Sequence, residues 1–594
     1  MIRLADHAAI GDGATTALVA SNGAIDWWSP GGRAGAPTCF SLLDQRCGGE
    51  IRLGPTRPDW TGAQTFSDDE APVLTTAFET ADGTFEVVDH VIDTQIVRIL
   101  TVLRGTADVT LAVRPGYAFG LPRRIERWSN GVAYGDVRIE GTETDVNQTL
   151  RAGDRIVVTV SPAGQRGVTR QGVDRPHPTM GEALAEQARV RASWRSDVGS
   201  VEFDSDLRWA VLRSVRALRL LTVSTSSDSC LLRALTTSLP ARAGNERNID
   251  ERFAWLRDNA HAVRVWDRLD RRDWSGPHRE WLHERAADAL PLSPAYQPSG
   301  ERPGSEEELA LAGWRGNGPV RAGTRVGSAL DLGAMSELSL ELDDRHSWKR
   351  LERLGDWLAD HASDADAGRW DSRARNHRHV ESALSVRAAL DALIATARRR
   401  NPIDPVTDTW TQAVRELDVW LATEGLFGVD ASAGFRRTGS TPHERAGRTG
   451  KTGADDSSDA SLLRWICEAS LPTLPSDSDT EAAHRARVTL EQTLPQLTEW
   501  PYVHRHLPHV DDGFPPLQGA DLWASFTMVS ALARFDRWEE AHGRMEALLR
   551  TLGPTHIGAT HVDPMTGDLR GNLLAAPMHL ALIDAAAALA RGPR

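Results

Sequence analysis

Asp206-Leu207-Arg208-Trp209-Ala210-Val211-Leu212-Arg213-Ser214-Val215-Arg216-Ala217-Leu218 is where the chain changes character. Leu207, Val211, Val215 and Leu218 recur at helical spacing and form one apolar stripe. Upstream, the apolar residues come instead in short runs: Thr84-Phe85-Glu86-Val87-Val88-Asp89, Gln95 to Leu103, Val109-Thr110-Leu111-Ala112-Val113 and Arg155 to Val160. These runs are rich in Val, Ile, Thr and Leu and bounded by Gly, Pro and Asp, as strands of an antiparallel sandwich are. The texture shifts near Pro178, and Gly181 to Ser193, rich in Ala, Glu and Arg, reads as a helical connector. Downstream, Leu532, Phe535 and Trp538 make a second stripe, and Met578 to Ala590 predicts a largely buried helix. Long helices joined by irregular loops containing Gly and Pro read as a helical barrel or solenoid. No short repeat is visible, which argues against an array of small modules.

Composition narrows the function classes. The 594 residues carry 68 Lys+Arg against 82 Asp+Glu, a net charge of −14, and phosphate-backbone binding needs the opposite balance. Nucleic acid is therefore not expected as a partner. No run approaches the roughly 18 unbroken apolar residues of a spanning helix, so no membrane partner is expected either. The start, Met1-Ile2-Arg3-Leu4-Ala5-Asp6-His7, lacks the basic and apolar segments of a secretion signal. Cys39, Cys47, Cys230 and Cys467 are too few and too scattered for a disulfide framework or a zinc cage. A cytoplasmic protein is the expectation. Twenty Trp beside four Tyr suit either a core or a surface that stacks sugar rings.

Three polar blocks stand out. Arg247-Asn248-Ile249-Asp250-Glu251-Arg252-Phe253-Ala254-Trp255-Leu256-Arg257-Asp258 can bind hydroxyls, although a salt-bridged, solvated helix face is the plainer reading. Gly313-Trp314-Arg315-Gly316-Asn317-Gly318-Pro319-Val320-Arg321 is either a loop presenting Trp and Arg or a simple inter-helix turn. Gly368-Arg369-Trp370-Asp371-Ser372-Arg373-Ala374-Arg375-Asn376-His377-Arg378-His379 offers an acid, an anion-binding strip or an exposed basic loop. The pairs His377/His379, His504/His506 and His556/His561 join no Cys or carboxylate ligand at metal spacing, so no metal and no cofactor is expected. Gly447-Arg448-Thr449-Gly450-Lys451-Thr452 imitates a phosphate loop, but Arg445 stands where its first glycine belongs and no strand precedes it. A Gly-x-Ser-x-Gly elbow is absent.

Further blocks, in order along nearly the whole chain, resemble glycoside hydrolase family 15, the glucoamylases, glucodextranases and bacterial trehalases. They are Ile10-Gly11-Asp12-Gly13 with Gly23-Ala24-Ile25-Asp26-Trp27-Trp28, Thr236-Thr237-Ser238-Leu239-Pro240, the Arg247 and Gly313 blocks, Asp459-Ala460-Ser461-Leu462-Leu463, and Asp563-Pro564 through Gly571-Asn572 to His579-Leu580. The resemblance implies an N-terminal antiparallel β-sandwich (1–177), a helical linker (178–204) and a C-terminal (α/α)6 barrel (205–594). It implies a pocket at one end of that barrel, with Trp255, Arg257, Asp258, Trp314, Arg315 and Trp370 on the substrate. A glucose-containing oligosaccharide or glucoside is the implied partner, while a homo-oligomer through the sandwich stays open.

Two positions depart from the pattern. Inverting hydrolysis takes a protonated acid and a carboxylate base roughly 6.5–9.5 Å apart. The family's acid is Glu in Gly-x-Trp-Glu-x-Arg, and here it is Asp371, shorter by one methylene. The family's base falls at Thr560 in Ala559-Thr560-His561-Val562-Asp563-Pro564, and a hydroxyl cannot serve near neutral pH. Ala329 and Asp331 stand where the family tends to have Gln. The leading expectation is an α-glucoside hydrolase with Asp371 as acid and His561 helping water. The alternatives are a sugar-binding pseudoenzyme, a phosphorylase-like transferase and a repurposed biosynthetic enzyme.

Overall fold

In the computed structural model, residues 2–592 are described apart from 33, 122–123, 136, 163–175, 226, 245, 343, 402–405, 427–432, 440–456, 468–478 and 517. The phosphate-loop look-alike at 447–452 lies outside the described residues.

The N-terminal region is a 13-stranded antiparallel sheet system. Its spine is the strand Gln95–Arg114, which the sequence reads as two separate runs. Up to Gly105 this strand pairs with Gly83–Ile92 and Arg155–Pro162; beyond it the partners are Asn147–Arg151 and Glu50–Pro55. Gly105 has φ +70 and sits where the partners change, a conformation that L side chains resist. Strands His7–Gly11, Thr16–Ala20 and Ala24–Trp28 continue the order outward from Glu50–Pro55. Ile10, Val19, Leu53, Phe85, Leu100 and Val160 share one buried core, so both sets of partners close over the same apolar faces.

Thr179 accepts a hydrogen bond from the Glu182 N–H, and the Glu182 carboxylate accepts one from the Thr179 N–H. That capping box opens the helix Met180–Asp197, which agrees with the expected connector. The helix Arg208–Leu221 follows and buries Val211, Val215 and Leu218 as its stripe predicts. The second stripe behaves differently. Helix Leu522–Arg534 ends before Phe535, Asp536 takes φ +59, and Trp538 starts a new helix, so those apolar residues straddle a turn.

The helices pack in a closed sequence of neighbours. Ala576–Ala590 contacts Leu256–Arg268, then come Leu332–Glu341, Val380–Arg400, Ala460–Leu462 with Leu463–Cys467, and Leu522–Arg534, which returns to Ala576–Ala590. A second set, including Arg272–Arg285, Val406–Glu424, Asp479–Leu497, Trp538–Thr551 and Arg208–Leu221, packs against these from outside. Among the described residues no helix is long and apolar enough to cross a membrane. The two regions are joined by polar contacts: Thr16 Oγ1 donates to the Leu220 carbonyl at 2.9 Å, and Arg213 pairs with Asp69 at 2.7 Å.

Candidate active site

A cavity of about 710 Å³ opens where chain segments enter the N-termini of the inner helices. Glu251 precedes Leu256–Arg268, Thr324 to Ala329 precede Leu332–Glu341, Arg369 to Ala374 precede Val380–Arg400, and Arg505 and Phe514 precede Leu522–Arg534. A small recess of about 20 Å³ shares Arg233, Glu251, Arg369, Trp370 and Arg505 with it, and adds Asp521, Trp523 and Thr560. Helix N-termini bring positive partial charge to this end, and among the described residues seven arginines line the cavity against three carboxylates, Glu251, Glu306 and Asp371.

Asp371 is set by its loop. Asp366 and His377 form an isolated bridge that ties the loop ends together, and Ser372 N–H donates to the Ala367 carbonyl. The backbone of Asp371 is left-handed, φ +52, a region that Asp and Asn tolerate better than other side chains. Burial raises its proton affinity to about 7; Arg233 pulls the other way and Asp331 adds to the rise. Arg233 Nη1 lies 3.7 Å from Asp371 Oδ2, too far for a hydrogen bond, so the acid is not pinned as an ion. Trp370 fixes the wall beside it, with Nε1 donating to Asp459 Oδ1 at 2.7 Å and its ring 5.7 Å from that of Trp523.

Trp370 and Asp371 are the only two of the eight residues singled out in the sequence that line this cavity. Trp255 lies behind it, stacked under the Arg233 guanidinium at 3.9 Å. Asp258 pairs with Arg233 Nε at 3.0 Å and so holds that arginine in place. Arg257 is engaged inside the ring of helices, where Asp331, Glu337 and Glu381 take its donors at 2.6–3.2 Å. Asp331 also caps the helix Leu332–Glu341. Trp314 is buried in the main helical core, and Arg315 Nη2 donates to the Ile2 carbonyl at 2.8 Å, away from the cavity.

His561 is not among the lining residues. Its Nδ1 meets Thr560 Oγ1 at 2.9 Å, and its Nε2 is sealed from solvent and has no hydrogen-bond partner among the described residues. Burial, with Arg505 and Arg247 nearby, holds its pKa well below the ordinary value, which favours the neutral ring. Thr560 itself faces the recess.

Other cavity groups were not singled out in the sequence. Arg233, Arg369 and Arg505 line both chambers, and Arg505 Nε donates to Asp521 Oδ2 at 2.7 Å. Glu251 lies inside the quoted Arg247 block, which is largely buried and non-helical up to Trp255 rather than a solvated helix face. The available signal was local: Arg252 closes on Asp250 with two hydrogen bonds, which leaves Glu251 without its neighbouring cation.

The chain matches glycosyl hydrolases family 15 over residues 208–498. It is 26% identical over 656 residues to a trehalase of Mycolicibacterium smegmatis, covering 98% of this chain and 90% of the relative. A trehalase of Mycobacterium tuberculosis is 28% identical over 643 residues, with 98% and 89% covered. A crystal structure of a bacterial glucoamylase complexed with acarbose superposes with a TM-score of 0.67 at 10% identity, covering 97% of this chain and 92% of that one. The first two likenesses extend over nearly the full chain, the third shows a shared fold, and the family model matches within the helical region; the chain is similar to the glycosyl hydrolases of family 15.

Proposed function

We propose that the protein hydrolyses an α-glucosidic bond with inversion, with trehalose as the first substrate to test and Asp371 as the general acid. One observation carries the reading: a largely desolvated carboxyl that keeps its proton to about pH 7 faces a cavity of about 710 Å³, roughly the room a disaccharide needs. The relatives named trehalase favour trehalose over maltose and isomaltose. The closed sequence of helix neighbours supports an (α/α)6 barrel over 205–594, behind a β-sandwich at 1–177 and a linker at 178–204. In this reading Trp370 packs against the sugar, while Trp255, Asp258 and Arg257 act behind the wall that touches it.

The test is product analysis on purified protein with trehalose, maltose, isomaltose and a short maltooligosaccharide, each with and without inorganic phosphate. Glucose released as the β-anomer from one of them is the expected result. Glucose binding without any product would replace hydrolysis with a binding-only role.

A phosphate-dependent reading has its own support. Arg302 and Arg325 line the mouth of the cavity, and among the described residues neither pairs with a carboxylate; Arg302 donates to the carbonyls of Pro291 and Gly327. Two guanidinium groups not neutralised by a carboxylate suit an oxyanion. Glucose phosphate formed only when phosphate is supplied would establish that reading.

A further inference from the structure

We infer that Glu251 is the catalytic base, supplying in the recess that Thr560 also lines the carboxylate that Thr560 does not. The assignment rests on the hydrolase reading above and adds the group that activates water.

Among the described residues, four carboxylates face the two chambers: Glu306 and Asp371 the larger one, Asp521 the recess, and Glu251 both. Three are otherwise committed. Glu306 is gripped through both oxygens by Arg373 and approached by Arg321. Asp521 uses one oxygen to cap the helix Leu522–Arg534 and the other to accept from Arg505. Asp371 holds the proton that the leaving group needs. Glu251 has a single described hydrogen bond to its carboxylate, from Asn572 Nδ2 to Oε2 at 2.8 Å.

That bond has a fixed direction. Asn572 Oδ1 accepts from the Leu239 N–H and the Thr236 hydroxyl, both at 3.2 Å, so the amide cannot turn over and Nδ2 must donate. The same Nδ2 also donates to the Ile249 carbonyl at 2.9 Å. Oε2 of Glu251 is therefore an acceptor, and any proton that Glu251 takes up goes to Oε1. Burial also lifts the proton affinity of Glu251 above the usual glutamate range, with Arg233 and Asn572 opposing the rise. A carboxylate of that kind is a better proton acceptor than a salt-bridged one. Arg233 lies within electrostatic reach of both Glu251 and Asp371 and counters a charge on either.

In the step, a water oxygen bonds to the anomeric carbon as the glycosidic carbon–oxygen bond breaks. The water proton goes to Glu251 Oε1 and the Asp371 proton goes to the leaving oxygen. Exchange with solvent then returns both carboxyls to their starting states.

The experiment uses α-glucosyl fluoride, whose leaving group needs no protonation, beside the best natural glucoside. Wild type should hydrolyse both. D371N should keep fluoride hydrolysis within about tenfold and lose the glucoside, because only the acid is gone. E251Q, which preserves the Asn572 contact, should lose both by about a thousandfold while still binding glucose. E251A with added azide should recover fluoride turnover and form β-glucosyl azide, an outcome that a merely structural role for Glu251 would not give. Near-wild-type fluoride hydrolysis by E251Q, or E251A that azide does not rescue, overturns the assignment and leaves the hydrolase reading standing. A wild type inactive on every glucoside and on the fluoride overturns the hydrolase reading, and this assignment with it.

Discussion

Replacing Asp371 with Asn should remove activity and make the protein more stable above pH 4, and the second effect tests the electrostatics directly. An unfolded aspartate titrates near 3.8, whereas the folded one keeps its proton to about 7. Between those values the unfolded chain has released a proton that the folded chain retains, so stability falls as pH rises and levels off above 7. The full shift corresponds to about 4 kcal/mol at ~1.4 kcal/mol per pH unit. The side chain is 15% exposed toward the cavity, and solvent there screens the charge, which brings the expected penalty to about 2 kcal/mol. Asn has no such titration, and the left-handed backbone at this position suits it as well as Asp. With an unfolding entropy of ~2.1 cal/mol/K per residue, 594 residues correspond to about 1.2 kcal/mol per degree. The Asn variant should then melt about 1.5–2 °C higher at pH 8 and at the parent's temperature at pH 4. The gain is larger if the helical part unfolds as its own unit. Parallel thermal unfolding at pH 4, 6 and 8 reads this, alongside glucose release, which should drop at least a hundredfold. A variant no more stable than its parent at pH 8, or equally stabilised at both extremes, would show that Asp371 does not hold a buried proton.

Other consequences follow from the same geometry. With a glucoside substrate, kcat/KM should decline about tenfold per pH unit above about 7 as Asp371, facing Arg233, Asp331, Arg257 and Arg505, loses its proton; a profile flat to pH 9 would assign the acid elsewhere. Arg257→Met leaves Asp331, Glu337 and Glu381 without their shared partner and should cost about 3–5 kcal/mol in denaturant unfolding. Unchanged stability with lost glucose affinity would instead make Arg257 a sugar contact. Gly571→Ala would place a Cβ 2.0 Å from Thr560 Oγ1 at a backbone with φ +71, and should destabilise by more than about 1 kcal/mol and reduce turnover; a neutral effect would mean that the recess wall is soft. Arg315→Ala removes an exposed contact to the Ile2 carbonyl and should leave turnover unchanged, whereas a lost substrate affinity would bring that loop into the site.

The change from sheet to helices was legible because spacing alone separates them: Leu207, Val211, Val215 and Leu218 can share a face only on a helix. Boundaries were less so. The strand Gln95–Arg114 looks like two because Arg104 to Asp108 lack apolar alternation, and only the switch of partners at Gly105 makes it one. The Leu532 stripe fails for the opposite reason, since a left-handed residue at Asp536 leaves no mark in the hydrophobic pattern. Within the site, Trp370 and Asp371 come from one short loop and could be read together. Glu251, Arg233 and Thr560 converge only through tertiary packing, and no local spacing reports that.

Two arginines show how far residue identity falls short of role. Arg257 sits in the block whose resemblance implies a sugar contact, yet three buried carboxylates absorb its charge and geometry, and nothing of it reaches the cavity. Such saturation makes a rigid strut, because any movement of Arg257 would strand buried anions. Arg233 stood in no quoted block; among the described residues the carboxylate nearest to it is that of Asp258 at 3.0 Å, and Asp371 stays at 3.7 Å. An arginine matched that loosely can follow charge as it moves. It counters Asp371 once the proton has left and is relieved by the Glu251 carboxylate before the water proton arrives. In the proposed reaction the chemistry thus falls to the incompletely neutralised pair of carboxylates around Arg233, and the fully neutralised cluster around Arg257 holds the helices that present them.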